Sequence, residues 1–421
     1  MMAQDLNDCF KAPETLLTLD QALAYLDERL IPVVGTETVP LAEAGGRVLA
    51  EDLVAELTQP PFANAAMDGF CFRAEDVGAD GARLRIVARI AAGHVWDGTL
   101  GPGEAARIFT GAPMPAEADT MAMQEDCQTE DGDWVRIPGG LTKGNFVRQA
   151  GDDFMAGSVV LPKGKRLRPH DLSMAAANGR PSLTVYRRLR VGVFSTGDEI
   201  VEPGNPLPPG AIYCSNRFGI VAAIRALGCD VHDLGNIPDR PELLRRRLDE
   251  ASRQHDLLIT AGGVSVGGED HVRGAVESLG AIHLWRMAIK PGKPTALGTI
   301  GDAAFLGLPG YPVSSLVILM LIGRPVILRL SGAMAEPMAP PRLRVKANFS
   351  FRKRHPRRQF LRCSLVPGPD GSLVAEAYPT QESNVLSSLV RTQGLVDLAE
   401  DAGDVAPGDL VDFLFYEQVL G

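Results

Sequence analysis

Residues 260–271 read TAGGVSVGGEDH: four glycines within seven residues, then an acidic pair, Glu269 and Asp270. Glycine lets the backbone bend freely and lets a ligand come close. The apolar run HDLLIT, 255–260, precedes the loop and reads as a buried strand. Behind the loop Val272, Val276 and Leu279 recur at helical spacing until Gly280. The loop therefore joins the carboxyl end of a strand to the start of a helix. Such a start offers unpaired N–H groups and a partial positive charge, which suit a phosphate or another oxyanion. A P-loop is excluded, because Glu269 follows Gly268 where lysine is required; a G-x-G-x-x-G fingerprint fails at Val264. Asp270 beside a bound anion would repel it. It fits if a divalent cation lies between them, since hard cations take carboxylate and phosphate oxygens together. The alternative is that Asp270 caps the following helix.

Other loops of the same region carry polar groups. STGDEI, 195–200, supplies Ser195, Thr196, Asp198 and Glu199 at a strand end, and GNIPDR, 235–240, supplies Asp239. AIKPGKPT, 288–295, holds Lys290 and Lys293 on a segment stiffened by its prolines. GLPGYPVSS, 307–315, turns sharply into an apolar helix with Pro312 near its first turn. The candidate substrate-binding residues of these loops are Ser195, Thr196, Gly262, Gly263, Ser265, Gly267, Arg286, Lys290, Lys293 and Pro309. Each charge taken singly reads as a solvated rim. Their number at one sheet edge points instead to phosphate or oxyanion handling with a divalent metal.

The elements that must position these loops follow from periodicity. Residues 189–330 alternate strand and helix signals: LRVGVFSTGDE, a helix marked by Ile220, Ile224 and Leu227 and closed by Gly228, then Leu244, Leu248 and Ala251 behind Asp239, read as an N-cap. IHLWRMAI, TALGTI and AAFLGLPG continue the series. The pattern predicts an open, largely parallel sheet covered by helices, whose ligands sit outside the carboxyl ends of its strands. TLDQALAYLDERL, 18–30, opens with a T-x-x-Q capping box and places Leu19, Leu23, Leu26 and Leu30 on one face. VPLAEAGGRVLAEDLVA after it is short and strand-like. The glycine- and proline-rich middle, with RLRIVARI, EAARIFTG, DTMAMQED and DWVRIP, reads as an inserted β-rich domain, and HDLSMAAANGR behind it as a helix that packs back on the first one. SGAMAEPMAPPR, 331–342, is a linker to a small carboxyl-terminal β domain. The expected division is 15–52 with 156–186, a split amino-terminal domain; 53–155, the insertion; 187–331, the α/β domain; and 340–421, the last domain. The fold class is α/β multidomain, with a doubly wound α/β domain, an inserted β-rich domain, a mixed helical and strand domain and a C-terminal β domain.

Composition sets bounds on partners. The 421 residues are 45% hydrophobic and 22% charged, ordinary for a soluble globular protein. A net charge of −10 argues against general nucleic-acid binding. The six cysteines form no C-x-x-C pair, which reads as reduced thiols in the cytoplasm, and the seven histidines form no cluster at ligand spacing. The amino terminus has no signal-peptide character. The longest apolar run, LVILMLIG, 316–323, is interrupted by Arg324-Pro325 and reads as a buried helix rather than a membrane span. Two features lie outside the α/β region. PPFANAAMDGF, 60–70, sets Asp68 among small residues, as a hairpin tip would. FRKRHPRRQFLR, 351–362, is either a charged edge strand or an anion-binding wall.

In this order, STGDEI, AGGVSVGGEDH, AIKPGKPTALG and GLPGYPVSS resemble the molybdopterin molybdenumtransferase family, the MoeA and gephyrin E-domain type. PPFANAAMDGF, IFTGAPMPAEADTMAMQED and NFVRQAGDDF (145–154) resemble that family's second-domain motifs. The resemblance runs from about residue 15 to the end and is looser in the last domain. It implies a four-domain, elongated homodimer whose α/β domain resembles the pterin adenylyltransferase. The active cleft would be shared, one subunit's second-domain loops facing the other's α/β domain. It implies insertion of molybdate into the dithiolene of adenylylated molybdopterin, with Mg2+-dependent release of AMP, giving molybdenum cofactor.

In that family's terms Asp239 and Asp270 hold metal and pyrophosphate, and Glu199 shapes the nucleotide end. Lys290 and Lys293 neutralise phosphate or molybdate. Asp68, Thr110 and Asp153 close the cleft, and Arg358 and Ser383 come from the last domain. Implied partners are the pterin adenylyltransferase and the molybdoenzymes that receive the cofactor, with neither nucleic acid nor membrane. Departures are Ala65 where serine is frequent, Phe70 where tyrosine is, and Arg286 where many members carry lysine, a fork in place of a point charge. The alternatives are a pterin adenylyltransferase acting one step earlier and a non-enzymatic anchoring scaffold.

Overall fold

The computed structural model describes residues 6–11, 16–263, 271–292, 294–354 and 356–420. Ser265, Gly267, Asp270 and Lys293 lie outside the described residues. The chain forms two compact units. One comprises Met1–Glu51, Lys163–Arg168 and Ser182–Gly421; the other comprises Asp52–Pro162 and Pro169–Pro181. The helix Pro169–Ala177 thus belongs to the second unit and the strand Ser182–Tyr186 to the first.

The first unit begins with helix α1, Leu19–Arg29. The expected capping box is present: the Thr18 hydroxyl accepts from the Gln21 N–H at 3.2 Å, and the Gln21 side chain accepts from the Thr18 N–H at 3.0 Å. Leu19, Leu23, Leu26 and Leu30 are all buried on the predicted face. Behind it, the stretch read as short and strand-like takes up the end of a strand, Thr36–Pro40, and then a 3-10 turn, Leu41–Glu43.

The second unit carries a six-stranded sheet built from β1 (Gly69–Phe72), β2 (Ala82–Ile90), β3 (Glu104–Ile108), β4 (Thr120–Met123), β5 (Gln128–Glu130) and β6 (Trp134–Ile137), in the order β4-β1-β3-β2-β6-β5. Strands β2 and β3 run parallel and set Arg89 in register with Arg107.

The α/β region of the first unit has β7 (Arg190–Thr196), β8 (Asp230–Ile237), β9 (Leu257–Ala261), β10 (Gly280–Arg286), β11 (Ile289–Lys290), β12 (Pro294–Ile300) and β13 (Ala303–Leu308). Its helices are α2 (Asn216–Ala226), α3 (Pro241–Ser252), α4 (His271–Leu279), α5 (Pro312–Ile318) and α6 (Arg324–Leu330). The sheet order is β8-β7-β9-β13-β12-β10. The pairings β8–β7, β7–β9 and β9–β13 are parallel, whereas β12 and β10 add antiparallel. Chain length explains the switch: Gly301 and Asp302 alone join β12 to β13, far too few for a parallel crossover. Both faces are covered. Leu257, Ile259, Ala304 and Leu306 belong to the core on one side, Leu258, Phe305 and Phe194 to that on the other. Burial on both faces is why these strands read as unbroken apolar runs.

Two sequence expectations change here. Asp239 is not the cap of α3: Arg240 occupies the N-cap without a side-chain hydrogen bond, and Pro241 opens the helix. Proline fits at that position because its missing N–H would have no helical partner, so the register of the helix is set by Pro241. Arg324-Pro325 does not break the apolar helix either. A π turn, Leu319–Gly323, bridges α5 and α6, and its wider winding accommodates a proline that an α turn rejects. The combined run Pro312–Leu330 has the length and hydropathy of a bilayer span, but 89% of its most apolar window is buried inside the protein, where it forms core.

The last strands, β14 (Leu343–Ala347), β15 (Arg358–Pro367), β16 (Leu373–Ala377), β17 (Gly394–Leu398) and β18 (Leu410–Phe415), pair as β15-β16-β14-β18-β17. A further β15–β17 pairing closes them into a barrel, which leaves no free edge. The short β11 docks in parallel on β15, matching Ile289 with Arg358 and Lys290 with Gln359. The core thus ties the α/β region to the barrel within one unit.

The face of α3 offers a direct check. Leu248→Ala, at a fully buried position, is expected to cost about 2–5 kcal/mol, whereas Arg247→Ala on the exposed side stays within about 0.5 kcal/mol; urea unfolding of the two variants measures both.

Candidate functional site

Strands β9 and β13 end at the same level, and their following glycines meet. Gly262 donates its N–H to the Leu308 carbonyl at 2.9 Å. A methyl group on Gly310 would stand 3.7 Å from the Gly262 Cα. Gly262 and Gly263 have φ of +98° and +66°, a region that favours glycine. A side chain at Gly263 would meet the Val272 methyl at 2.6 Å and the Thr196 hydroxyl at 2.9 Å. Thr196, at the end of β7, therefore lies against the glycine loop. Pro309 leads into the same corner, and the Asn216 amide at the start of α2 pins the Gly310 carbonyl at 2.7 Å.

Ser195, next to Thr196, turns inward. Its hydroxyl accepts from the Arg217 guanidinium at 3.0 Å beneath the strand end. Arg217 is buried and also holds Glu202 at 2.7 Å and Asp233 at 2.6 Å. Burial alone would lower its pKa, but the Glu202 hydrogen bond and its acidic neighbours more than offset this, and the net direction is upward. Glu202 is pulled down in turn, first by its Arg217 hydrogen bond. Nothing in the spacing of these residues announces this cluster around a buried arginine; only the fold brings them together. Ser195 is a positioning group here, and Thr196 is the one that faces the loop.

The acidic residues of this edge gather at the ends of β7 and β8. The Glu199 carboxylate folds back over Gly197, and Asn236 holds the turn by donating to the Gly197 and Ile200 carbonyls at 3.1 and 3.3 Å. The Asp198 carboxylate reaches the Asp239 N–H at 3.5 Å. Among the described residues no three His, Cys, Asp or Glu side chains form a metal-sized group.

Lys290 is exposed at the end of β11 and lines a cavity of about 470 Å³ with Arg352, Arg354, Gln381 and Arg362. Arg362 is 1% exposed. Its guanidinium donates to the Ser388 hydroxyl at 3.1 Å and to the Glu382 carbonyl at 3.1 Å, and no carboxylate lies within ion-pair distance among the described residues. Burial lowers its pKa. Glu382 also lines the cavity and its charge acts on Arg362, but it forms no ion pair with it, and four cations against one carboxylate suit an oxyanion.

Arg358, expected at this wall, is committed elsewhere. It grips Asp397 through two bonds of 2.7 and 2.9 Å and reaches Asp20 at 3.0 Å. Its pKa moves up: burial opposes the charge, but the Asp397 fork more than compensates. Alternation puts both positions on the same face of β15, so the difference comes from the elements packed beside each. Positions 358 and 362 are four apart on β15, yet Arg358 pairs beside β17 and its acid, while Arg362 lies under the 380–388 loop. Arg286 is exposed at the end of β10, with its carbonyl accepting from Leu17. Ser383 is brought to the strand edge through its backbone, its carbonyl accepting from the Val313 N–H at 3.1 Å.

In the second unit Asp68 and Thr110 form a pair. The same Asp68 oxygen accepts from the Thr110 N–H at 2.8 Å and from the Thr110 hydroxyl at 2.7 Å. These bonds, the backbone one first, hold the Asp68 carboxyl below its usual range, with help from the Arg107 charge. Asp153 is exposed on its turn, its N–H donating to the Gln59 carbonyl at 3.0 Å; among the described residues no bond joins it to Asp68.

With the geometry established, comparison places the chain among known proteins. Residues 17–179 match the model of the MoeA N-terminal region (domain I and II), 192–329 a probable molybdopterin binding domain, and 344–416 the MoeA C-terminal region (domain IV). A molybdopterin molybdenumtransferase from Haemophilus influenzae is 35% identical over 96% of this chain and 100% of its own length. Molybdopterin molybdenumtransferase 2 from Mycobacterium tuberculosis is 37% identical over 88% of this chain and 93% of its own. Two crystal structures of the molybdopterin biosynthesis MoeA protein from Pyrococcus horikoshii superpose with TM-scores of 0.73 and 0.78. Their identities are 31% and 26%, and they cover 95% and 96% of this chain and 99% and 100% of their own.

The Asp68–Thr110 bonds favour the ionised carboxylate. Their contribution to stability is therefore full above the ordinary aspartate range and is lost as pH falls through the lowered Asp68 value. In a pH titration followed by NMR, Thr110→Val should move the Asp68 midpoint upward, towards the unperturbed carboxylate; an unchanged midpoint would assign the shift to another group.

Proposed function

The chain belongs to the molybdopterin molybdenumtransferase family, and from that premise we propose that it inserts molybdate into the dithiolene of adenylylated molybdopterin and releases AMP. The observation that carries the reading is the cavity at Lys290, where among the described residues no carboxylate stands within ion-pair distance of the buried Arg362 and where Arg352 and Arg354 add charge. It lies in the same compact unit as the glycine-lined strand edge, so one unit offers both a place for a phosphate-bearing pterin nucleotide and a place for a free oxyanion.

In this reading the open backbone at Gly262, Gly263 and Gly310 takes the phosphoanhydride, where any side chain would obstruct it. Thr196 offers a hydroxyl to the same group, and Glu199 and Asn236 fix the nucleotide end of the turn. Lys290, Arg352 and Arg354 attract molybdate, with Lys293 assigned to the same task from sequence. Arg362 sets the inner wall, a role we give it in place of Arg358.

Magnesium fits the donors at the end of β8. Asp198 and Asp239 supply hard carboxylate donors at the neighbouring ends of β7 and β8, where the Asp239 N–H reaches the Asp198 carboxylate. Asp239 would hold the ion, with Asp270 assigned as its companion from sequence. Bound there, the metal neutralises the phosphoanhydride and eases departure of AMP. Asp68 has a different task. A carboxylate held below its usual range is a weak base, so it orients donors of the substrate rather than removing a proton. Six free cysteines, five of them buried, agree with action in the reducing cytoplasm. A homodimer completes the reading, on the strength of the family alone.

Lys290→Ala separates the two ligands. The molybdate concentration for half-maximal cofactor formation should rise about ten-fold, the order expected for one lost charge-assisted contact, while affinity for AMP stays as in the parent protein. Equal loss of both would remove Lys290 from the oxyanion site.

A further inference from the structure

The second unit holds a cleft that this reaction scheme does not use. It has a volume of about 690 Å³ and is lined by Phe70, Val87, Arg89, Arg107, Gln124 and Cys127, among others. That volume suits a small organic ligand. Its wall is an alternating stack. Arg107 lies 5.0 Å from the centres of both the Phe70 and the Phe109 rings, and Arg89 lies 4.8 Å from the Phe109 ring. Two guanidinium planes thus share one phenyl ring.

Their placement carries an electrostatic cost. Parallel pairing of β2 and β3 sets Arg89 directly beside Arg107, and like charges at neighbouring positions of a sheet repel. Elsewhere in the second unit the sheet arginines are neutralised: Arg83 and Arg136 share Glu130, and Arg85 pairs with Glu104. Arg89 and Arg107 have no carboxylate within ion-pair distance among the described residues. Arg107 bonds the Gly69 carbonyl and the Gln124 amide, both neutral. Asp133 is the carboxylate of the cleft lining, and it pairs with neither arginine. The aromatic rings hold the guanidinium groups flat and relieve part of the repulsion, but the excess positive charge remains exposed to the cleft.

We propose that the Arg89–Arg107 pair is the anchor of a second ligand site, one that takes a phosphate-type anion carried on a flat ring. The paired forks match phosphate oxygens, and the partly exposed apolar lining of Ile86, Val87 and Ala88 accepts the ring. The site lies wholly within the second unit. It therefore stands or falls apart from the molybdate reaction, and failure of either test is distinguishable from failure of the other.

Cys127 gives a local reporter. It is the one half-buried cysteine of the six, the other five being buried, and it lines the cleft. Burial, with Asp126 and Glu125 nearby, pushes its thiol up to about 11, so alkylation is followed at alkaline pH. With the full-length protein, guanosine monophosphate should slow Cys127 alkylation saturably. Inorganic phosphate should do so at higher concentration, and guanosine without phosphate should not. Arg89→Gln, at an exposed position that leaves the fold intact, should raise the protective concentration of the nucleotide about ten-fold or more. Alkylation unaffected by millimolar nucleotide, or equal protection of Arg89→Gln, overturns the proposal. Calorimetric titration of the same two proteins with guanosine monophosphate provides a reading that does not depend on the thiol: superimposable isotherms overturn it as well.

Discussion

The strand-edge site depends on two backbones lying against each other. Gly262 and Gly310 follow adjacent parallel strands and meet with no side chain between them. This contact sets Gly263, the Thr196 hydroxyl and the start of α5 at one level. Any residue larger than glycine at position 263 would strike Val272 and Thr196. The surrounding groups behave as supports for that corner: Asn216 pins Gly310, Ser383 anchors the first turn of α5, and Arg217 braces Ser195 from below. A parallel sheet buried on both faces is rigid enough to hold such a corner open.

The arginines fall into two electrostatic classes. Arg358 is buried with Asp397, and removing one partner of such a buried pair costs about 3–5 kcal/mol because a charge is left uncompensated; Arg217 is buried too, but its acids Glu202 and Asp233 reach the surface. They are structural cations. Arg362, Arg89 and Arg107 are held by rings, hydroxyls and carbonyls, so their charge remains available to a ligand. In a chain of net charge −10, acids to pair with them are abundant. Among the described residues none of the three has a carboxylate within ion-pair distance, and both candidate anion sites rest on that.

Much of this was legible in the chain itself. The capping box at Thr18, the buried leucine face of α1, and the strand and helix flanking the glycine loop all follow local rules that the tertiary structure did not override. What the sequence hid depended on pairing. A two-residue turn at Gly301 and Asp302 reversed β12, although TALGTI has the same apolar texture as its parallel neighbours. The roles of Arg358 and Arg362 cannot be told apart in RRQFLR, because Asp397 and Asp20 lie far away in sequence. The Arg89–Arg107 pair is likewise invisible until register aligns the two strands. The spacing of Asp239 and Pro241 predicts a cap at Asp239, whereas the helix begins one residue later, after Arg240.

The central claim is that glycine edge and basic cavity together perform a molybdate-dependent cleavage. The most direct measurement is AMP release from adenylylated molybdopterin by the purified protein with magnesium, in the presence and absence of molybdate. The account predicts release that molybdate stimulates, with molybdenum retained on the pterin. Release of AMP indifferent to molybdate, or tight binding of the nucleotide without any release, would contradict it.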